Sequence, residues 1–191
     1  VNGKRTPMIH KIRSPGHLVE RIRRDQRGVE EWLSACLEMP VRLDHDPVRG
    51  FPDDTNAPGP TLVSTASLRA VGEWFGIPDL DELRRRFRAN LEIDGVPAFW
   101  EDQLIGWTFR MGDVTVEATN ACARCAVPPR DSRSGELREP AFQKLFADRR
   151  RESLPAWSDP RRFDHYYQLA LNTRVAESEA GKVIRVGDAV A

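Results

Sequence analysis

The stretch Trp107-Thr-Phe-Arg-Met-Gly-Asp-Val-Thr-Val-Glu-Ala118 decides how the rest of the chain is read. It reads as two strands, Trp107 to Met111 and Val114 to Ala118, joined at Gly112-Asp113, a dipeptide suited to a tight hairpin turn. The second strand leads directly into Cys122 and Cys125. Upstream, Arg86-Phe-Arg-Ala-Asn-Leu-Glu-Ile93 alternates as a strand would. That spacing predicts Arg86, Arg88 and Asn90 on one face, with Phe87, Ala89 and Leu91 directed into the core. Downstream, Tyr166 to Val175 reads as a strand, and Val183-Ile-Arg-Val186 as a closing one.

Helices flank these strands. Ser64 and Thr65 precede Leu68, Val71, Trp74 and Phe75 on one helical face, and Gly76 and Pro78 mark the stop. Asp79 can cap a short helix through Leu80 and Leu83, and Pro140 opens another that carries Phe142, Leu145 and Phe146. Nearer the start, Val29, Trp32, Leu33, Cys36 and Leu37 recur at helical spacing until Pro40. A short strand candidate, Val41-Arg-Leu43, and a loop rich in Pro, Gly and Asp from Asp44 to Pro60 follow it. Many short strands with a few helices predict a mainly β fold with flanking helices, of β-barrel type.

At 191 residues there is room for one good-sized core. Lys plus Arg and Asp plus Glu number 29 each, so the net charge of +0 provides no field to attract nucleic acid or anionic lipid. No apolar run reaches the roughly 18 residues that span a bilayer. Three cysteines, an odd count, suit a reducing compartment better than a disulfide scaffold. Together these predict a soluble, cytoplasmic protein with no nucleic-acid or membrane partner. Val1 begins what reads as mid-domain sequence.

Cys122-x-x-Cys125 admits three chemistries: half a zinc site, a redox pair, or one functional thiol beside a structural one. Zinc needs four ligands, and a redox pair belongs at a helix start rather than after a hairpin. In an extended segment residues three apart face opposite ways, so a single functional cysteine is expected. Arg124 and Arg130 lie near Cys125 in sequence, and a cation favours the thiolate that binds a soft metal. His10, His17, His45 and His165 lack ligand spacing and read as surface or structural residues. Arg84-Arg-Arg86 reads as a solvated helix end, and Glu101-Asp102 as a solvated loop pair. Asp131 is expected to organise the turn through Gly135.

Four segments stand in an order and spacing that resembles the MOSC family, whose members include amidoxime-reducing components and the carboxyl-terminal domain of molybdenum-cofactor sulfurases. They are Leu62-Val-Ser-Thr-Ala-Ser-Leu68, Arg86-Phe-Arg-Ala-Asn90 with Asp94-Gly95, Ala121-Cys-Ala-Arg-Cys-Ala-Val-Pro128 with Asp131 and Gly135, and Ile184-Arg-Val-Gly-Asp-Ala-Val190. The resemblance implies a MOSC-type β-barrel over residues 28–191, with 1–27 a remnant of that family's amino-terminal β-barrel region. It implies Cys125 as the catalytic metal ligand to molybdenum, and Arg88, Asn90, Ser64, Thr65 and Arg124 as contacts to the molybdopterin. Ala89 and Ala123 depart from the Pro and Ser usual in the family. Two functions follow from it: an oxidoreductase acting on N-hydroxylated or N-oxide small molecules, fed by an electron-donor protein, or a non-catalytic cofactor or sulfur (persulfide) carrier served by a cysteine desulfurase. A chain that keeps the fold and has lost the cofactor is the third reading.

Overall fold

The computed structural model describes residues 6–13, 22, 24–46, 52 and 54–191. His17 and the opening residues 1–5 lie outside them. The chain divides into two compact units, residues 13–53 and residues 1–12 with 54–191. Among the described residues no helix is long and apolar enough to cross a membrane.

In the smaller unit, helix α1 (Gln26–Leu37) begins where Asp25 accepts a hydrogen bond from the Gly28 N–H, and ends at Glu38 in the left-handed region. The expected strand Val41 to Leu43 is irregular backbone instead. Its N–H groups donate to side chains of α1, Val41 to Ser34 and Leu43 to Glu30. A segment already satisfied by a helix has no partner strand to recruit.

The larger unit holds a six-stranded mixed sheet. Its strands are β1 (Met8–Ile12), β2 (Leu62–Ser64), β3 (Leu91–Asp94), β4 (Thr108–Met111), β5 (Val114–Ala123) and β6 (Gln168–Arg174), in the order β1-β3-β2-β6-β5-β4. Only β2 and β3 are parallel, and they are joined through helices α2 (Thr65–Phe75) and α3 (Leu80–Phe87). The sheet curls into a half-barrel whose two edges both reach the carboxyl-terminal segment. Ile9 N donates to Asp188 O on one side, while Gly112 N donates to Ala189 O and Arg110 N to Ala191 O on the other. The expected closing strand Val183 to Val186 is irregular, and the edge contacts fall further on, as single bridges at Ala189 and Val190.

The β4–β5 hairpin forms where the sequence places it, with Gly112 at φ +58 in the turn and Met111 facing Val114. One face of the curled sheet buries Ile9, Leu62, Ile93, Met111, Val116 and Leu171. The other buries Val63, Leu68, Leu83, Phe87, Phe142 and Phe146 beneath α2, α3 and α4 (Phe142–Glu152). Each such side chain contributes roughly 1.5–3 kcal/mol by leaving water.

The expected strand from Arg86 to Ile93 is corrected: Arg86 and Phe87 close α3, and β3 starts only at Leu91. Asp79 caps α3, Asp81 and Glu82 occupy its first turn, and Arg84, Arg85 and Arg86 its last. Those charges complement the helix dipole, and this outweighs the local alternation. Arg88 therefore caps the helix at φ 51, and Arg86, Arg88 and Asn90 do not share a strand face.

Candidate functional site

The two cysteines occupy different environments. Cys122 lies in β5, half-buried against the helix-covered face, whereas Cys125 lies past the strand end and is exposed. Arg124 follows Cys122 by two positions, the spacing that puts side chains on one face of an extended chain. Its Nη1 donates to Cys122 Sγ at 3.0 Å and to Leu169 O at 3.4 Å, and its Nη2 donates to Phe87 O at 2.6 Å. The guanidinium also lies 5.8 Å from the centre of the Phe87 ring. Arg130 donates to Gly135 O at 2.8 Å. Neither guanidinium hydrogen-bonds to the Cys125 thiol; both are engaged by other partners. What holds Cys125 is its backbone, whose carbonyl accepts from Tyr167 Oη at 3.0 Å. Burial pushes the Tyr167 hydroxyl above its ordinary range, which keeps it a donor.

The hydrogen bond from Arg124 to Phe87 O fixes the neighbourhood of the site. Arg124 directly precedes Cys125, and Phe87 directly precedes Arg88. The exposed thiol and the exposed Arg88 are thus each one residue from the two ends of a single short hydrogen bond. Arg88 makes no side-chain hydrogen bond or ion pair among the described residues, and its left-handed backbone turns the chain out of α3 at that point. Asn90 is also exposed, with Oδ1 accepting from Thr61 N at 2.9 Å and Thr61 Oγ1 at 3.0 Å.

Ser64 and Thr65 point elsewhere. Ser64 is fully buried, caps α2 through the Ser67 N–H, and shares a hydroxyl hydrogen bond with Ser67 at 2.7 Å. Thr65 Oγ1 donates to Glu92 at 2.7 Å, inside a buried pair in which Arg84 binds both oxygens of that carboxylate. Both hydroxyls are spent within the scaffold. Burial alone would raise the Glu92 carboxyl, but the Arg84 and Thr65 hydrogen bonds bring it below its ordinary value.

Of the charged residues expected to be solvated, only Arg85 keeps a substantially exposed side chain, at 37%. Of Arg84-Arg-Arg86, Arg84 pairs with Glu92, while Arg86 is 5% exposed and pairs with Glu82 at 2.6 Å. Glu101 is buried, accepts from Ser64 N at 3.2 Å, and has its carboxyl pushed up by desolvation. Asp102 pairs with Arg150, a fully buried guanidinium stacked 4.0 Å from the centre of the Phe99 ring. The 3-10 turn from Trp100 to Leu104 turns this acidic pair inward. Asp131 behaves as expected: it accepts from the N–H groups of Arg133 and Ser134, which hold its carboxyl well below the usual range. His10, His45 and His165 are exposed.

Sequence reasoning passed over Glu82, Arg150 and Tyr167. Only Glu82 had a readable signal, its four-residue spacing from Arg86. An apolar cavity of about 450 Å³ lies at Ile12, Leu91, Val114, Val175 and Ile184, and none of the candidate residues lines it. Among the described residues no three His, Cys, Asp or Glu side chains are grouped to hold a metal ion.

A search of curated proteins returns no match to this chain. One protein-family model does match: it is described as MOSC domain and covers residues 60–191, which takes in every candidate residue above.

Proposed function

Because the chain belongs to the MOSC domain family, a family associated with the molybdenum cofactor, we propose that it binds that cofactor with Cys125 as the protein's ligand to the metal, and acts as an oxidoreductase on N-hydroxylated or N-oxide small molecules. One observation carries this reading: an exposed thiol stands beside an exposed guanidinium that has no partner among the described residues, and the two are joined through the Arg124 to Phe87 hydrogen bond. The donor set fits the group. A soft thiolate suits molybdenum, and the Arg88 fork suits the phosphate of a pterin. Asn90 spends its oxygen on Thr61 and keeps an amide N–H2 for a pterin edge. The bound cofactor would supply the oxygen-atom transfer.

The remaining residues act on the chain itself. Arg124 holds the cysteine segment to the end of α3. Tyr167 fixes the Cys125 carbonyl, so the thiol leaves from a restrained backbone. Ser64 and Thr65 fix the start of α2 against β3, where both hydroxyls are already engaged. The half-barrel, with both edges tied to the carboxyl-terminal segment, corresponds to the MOSC-type barrel in this reading. An exposed Cys125 also suits a sulfur carrier, which would hold a persulfide there and turn over no substrate.

Metal analysis of protein made in a host that synthesises the cofactor separates the readings. Molybdenum near one per chain, lost in Cys125→Ser and kept in Cys122→Ser, is expected. Reduction of a hydroxylamine with an artificial electron donor then establishes turnover. A metal-free chain whose Cys125 accepts persulfide would replace the first reading with the carrier.

A further inference from the structure

We infer that Glu82 is a positioning residue for the Cys125 thiol, holding the loop that carries it against helix α3; the inference rests on the proposed role of Cys125 as ligand. The side chain of Glu82 is 11% exposed and accepts from four donors. Two come from its own helix, Arg86 Nε at 2.6 Å and Arg85 Nη2 at 3.1 Å. The other two come from a residue fifty positions away, Ser132, through its N–H at 2.9 Å and its hydroxyl in a very short contact. Arg86 extends the same network by donating to Pro128 O at 3.3 Å, and Arg85 donates to Ser132 Oγ at 2.7 Å. A carboxylate needed only to stabilise α3 would be complete with the two arginines.

Placement gives the network its purpose. Cys125 lies on a span anchored to α3 at both ends: Arg124 bonds to Phe87 O at one end, and Pro128 and Ser132 bond to Arg86 and Glu82 at the other. The same helix ends at Arg88. Helix α3 therefore sets the thiol and the guanidinium relative to each other, and Glu82 is where the far end of the loop is fastened. Burial alone would raise this carboxyl, but the hydrogen bonds from Ser132, Arg86 and Arg85 bring it down to about 2, so at neutral pH it is a full anion in a nearly dry place. Charge-assisted bonds of this kind are stronger than neutral ones and fix geometry more narrowly.

The discriminating variant is Glu82→Asp, which keeps the charge beside Arg85 and Arg86 but is one methylene too short for Ser132. Two readouts, neither of which needs the cofactor, are hydrogen exchange by peptide and alkylation of Cys125 relative to Cys36, an exposed thiol on the other compact unit. Exchange across residues 126–135 should rise on the order of tenfold, the loss of a hydrogen bond to a charged group, with β6 unchanged. Cys125 alkylation should quicken on the order of threefold relative to Cys36. Ser132→Ala should give a smaller change, and the double variant should go no further than Glu82→Asp alone, because both break one tie. Wild-type exchange in this loop, an equal rise across the whole larger unit, an unchanged Cys125 to Cys36 ratio, or additive effects would each overturn the inference. Failure of the cofactor reading shows separately, as a wild-type chain that carries no molybdenum while Glu82→Asp still loosens the loop.

Discussion

The β4–β5 hairpin and residues 124–135, which follow it without a break, are held in contrasting ways. The hairpin has a ladder of paired residues from Thr108↔Glu117 to Met111↔Val114, and its inward side chains are Phe109, Met111, Val114 and Val116. The loop has no ladder beyond one bridge, Arg130↔Leu137, and its anchors are the Phe87 carbonyl, Arg86, Glu82 and Tyr167. The hairpin is thus fixed by its own sequence, through apolar burial and a turn. The loop is fixed by groups 37 to 50 positions away, through charge and directed hydrogen bonds. In the second arrangement polar anchors restrain the backbone while Cys125 stays exposed.

Breaking the hairpin should cost the most. Met111 is fully buried, and Met111→Ala removes its packing for roughly 2–5 kcal/mol, read as a lower denaturant midpoint. The loop should then loosen only in step with the whole larger unit. Selective loosening of 124–135 in that variant would erase the distinction between the regions.

Acid should act the other way round. Glu82 titrates near 2 when folded, against 4.5 ordinarily, so its contribution is present above pH 4.5 and is lost as pH falls through about 2. That amounts to about 3 kcal/mol at full ionisation. Asp131, held low by the Ser134 and Arg133 N–H groups, loosens the same loop in the same direction. Glu101 has the opposite sign: its raised carboxyl favours the folded state at low pH, and that contribution fades as pH rises through its folded value. In amide NMR spectra the Ser132 and Arg133 signals should shift and broaden as pH falls toward 2, with Val116 holding its position longer. Val116 moving first would mean that the loop's charges do not anchor it.

Arg124→Ala should have the smallest effect, about 1–3 kcal/mol for the lost charge-assisted bonds to Phe87 and Leu169. Its mark should be faster hydrogen exchange around Cys125 and the end of α3, with the β4–β5 ladder keeping its wild-type rate. Faster exchange throughout the ladder would show that Arg124 serves the sheet rather than the loop.

The same contrast explains what could be read in advance. The hairpin, the Ser64 cap of α2 and the Asp79 cap of α3 were legible because period, turn and cap are local signals. The strand expected from Arg86 failed because a dipole-matched helix captured Arg86 and Phe87 before the alternation could act. At the site, motif spacing singled out Cys125 and Arg88, and the structure leaves both exposed on joined segments. Adjacency to Cys125 governed the reading of Arg124 and did not bring out its two-residue spacing from Cys122, the spacing that faces the two side chains together in an extended strand. Nor could spacing pair Asp102 with Arg150 or Glu82 with Ser132, since those contacts exist only once the sheet has curled.

The central claim is that Cys125 supplies the sulfur that binds the metal. Molybdenum X-ray absorption on the loaded wild-type chain and its serine variants tests it most directly. Cys125→Ser should show one fewer sulfur neighbour at the metal, or no bound metal at all, while Cys122→Ser keeps the wild-type spectrum. An unchanged sulfur count in Cys125→Ser, or a loss confined to Cys122→Ser, would contradict it.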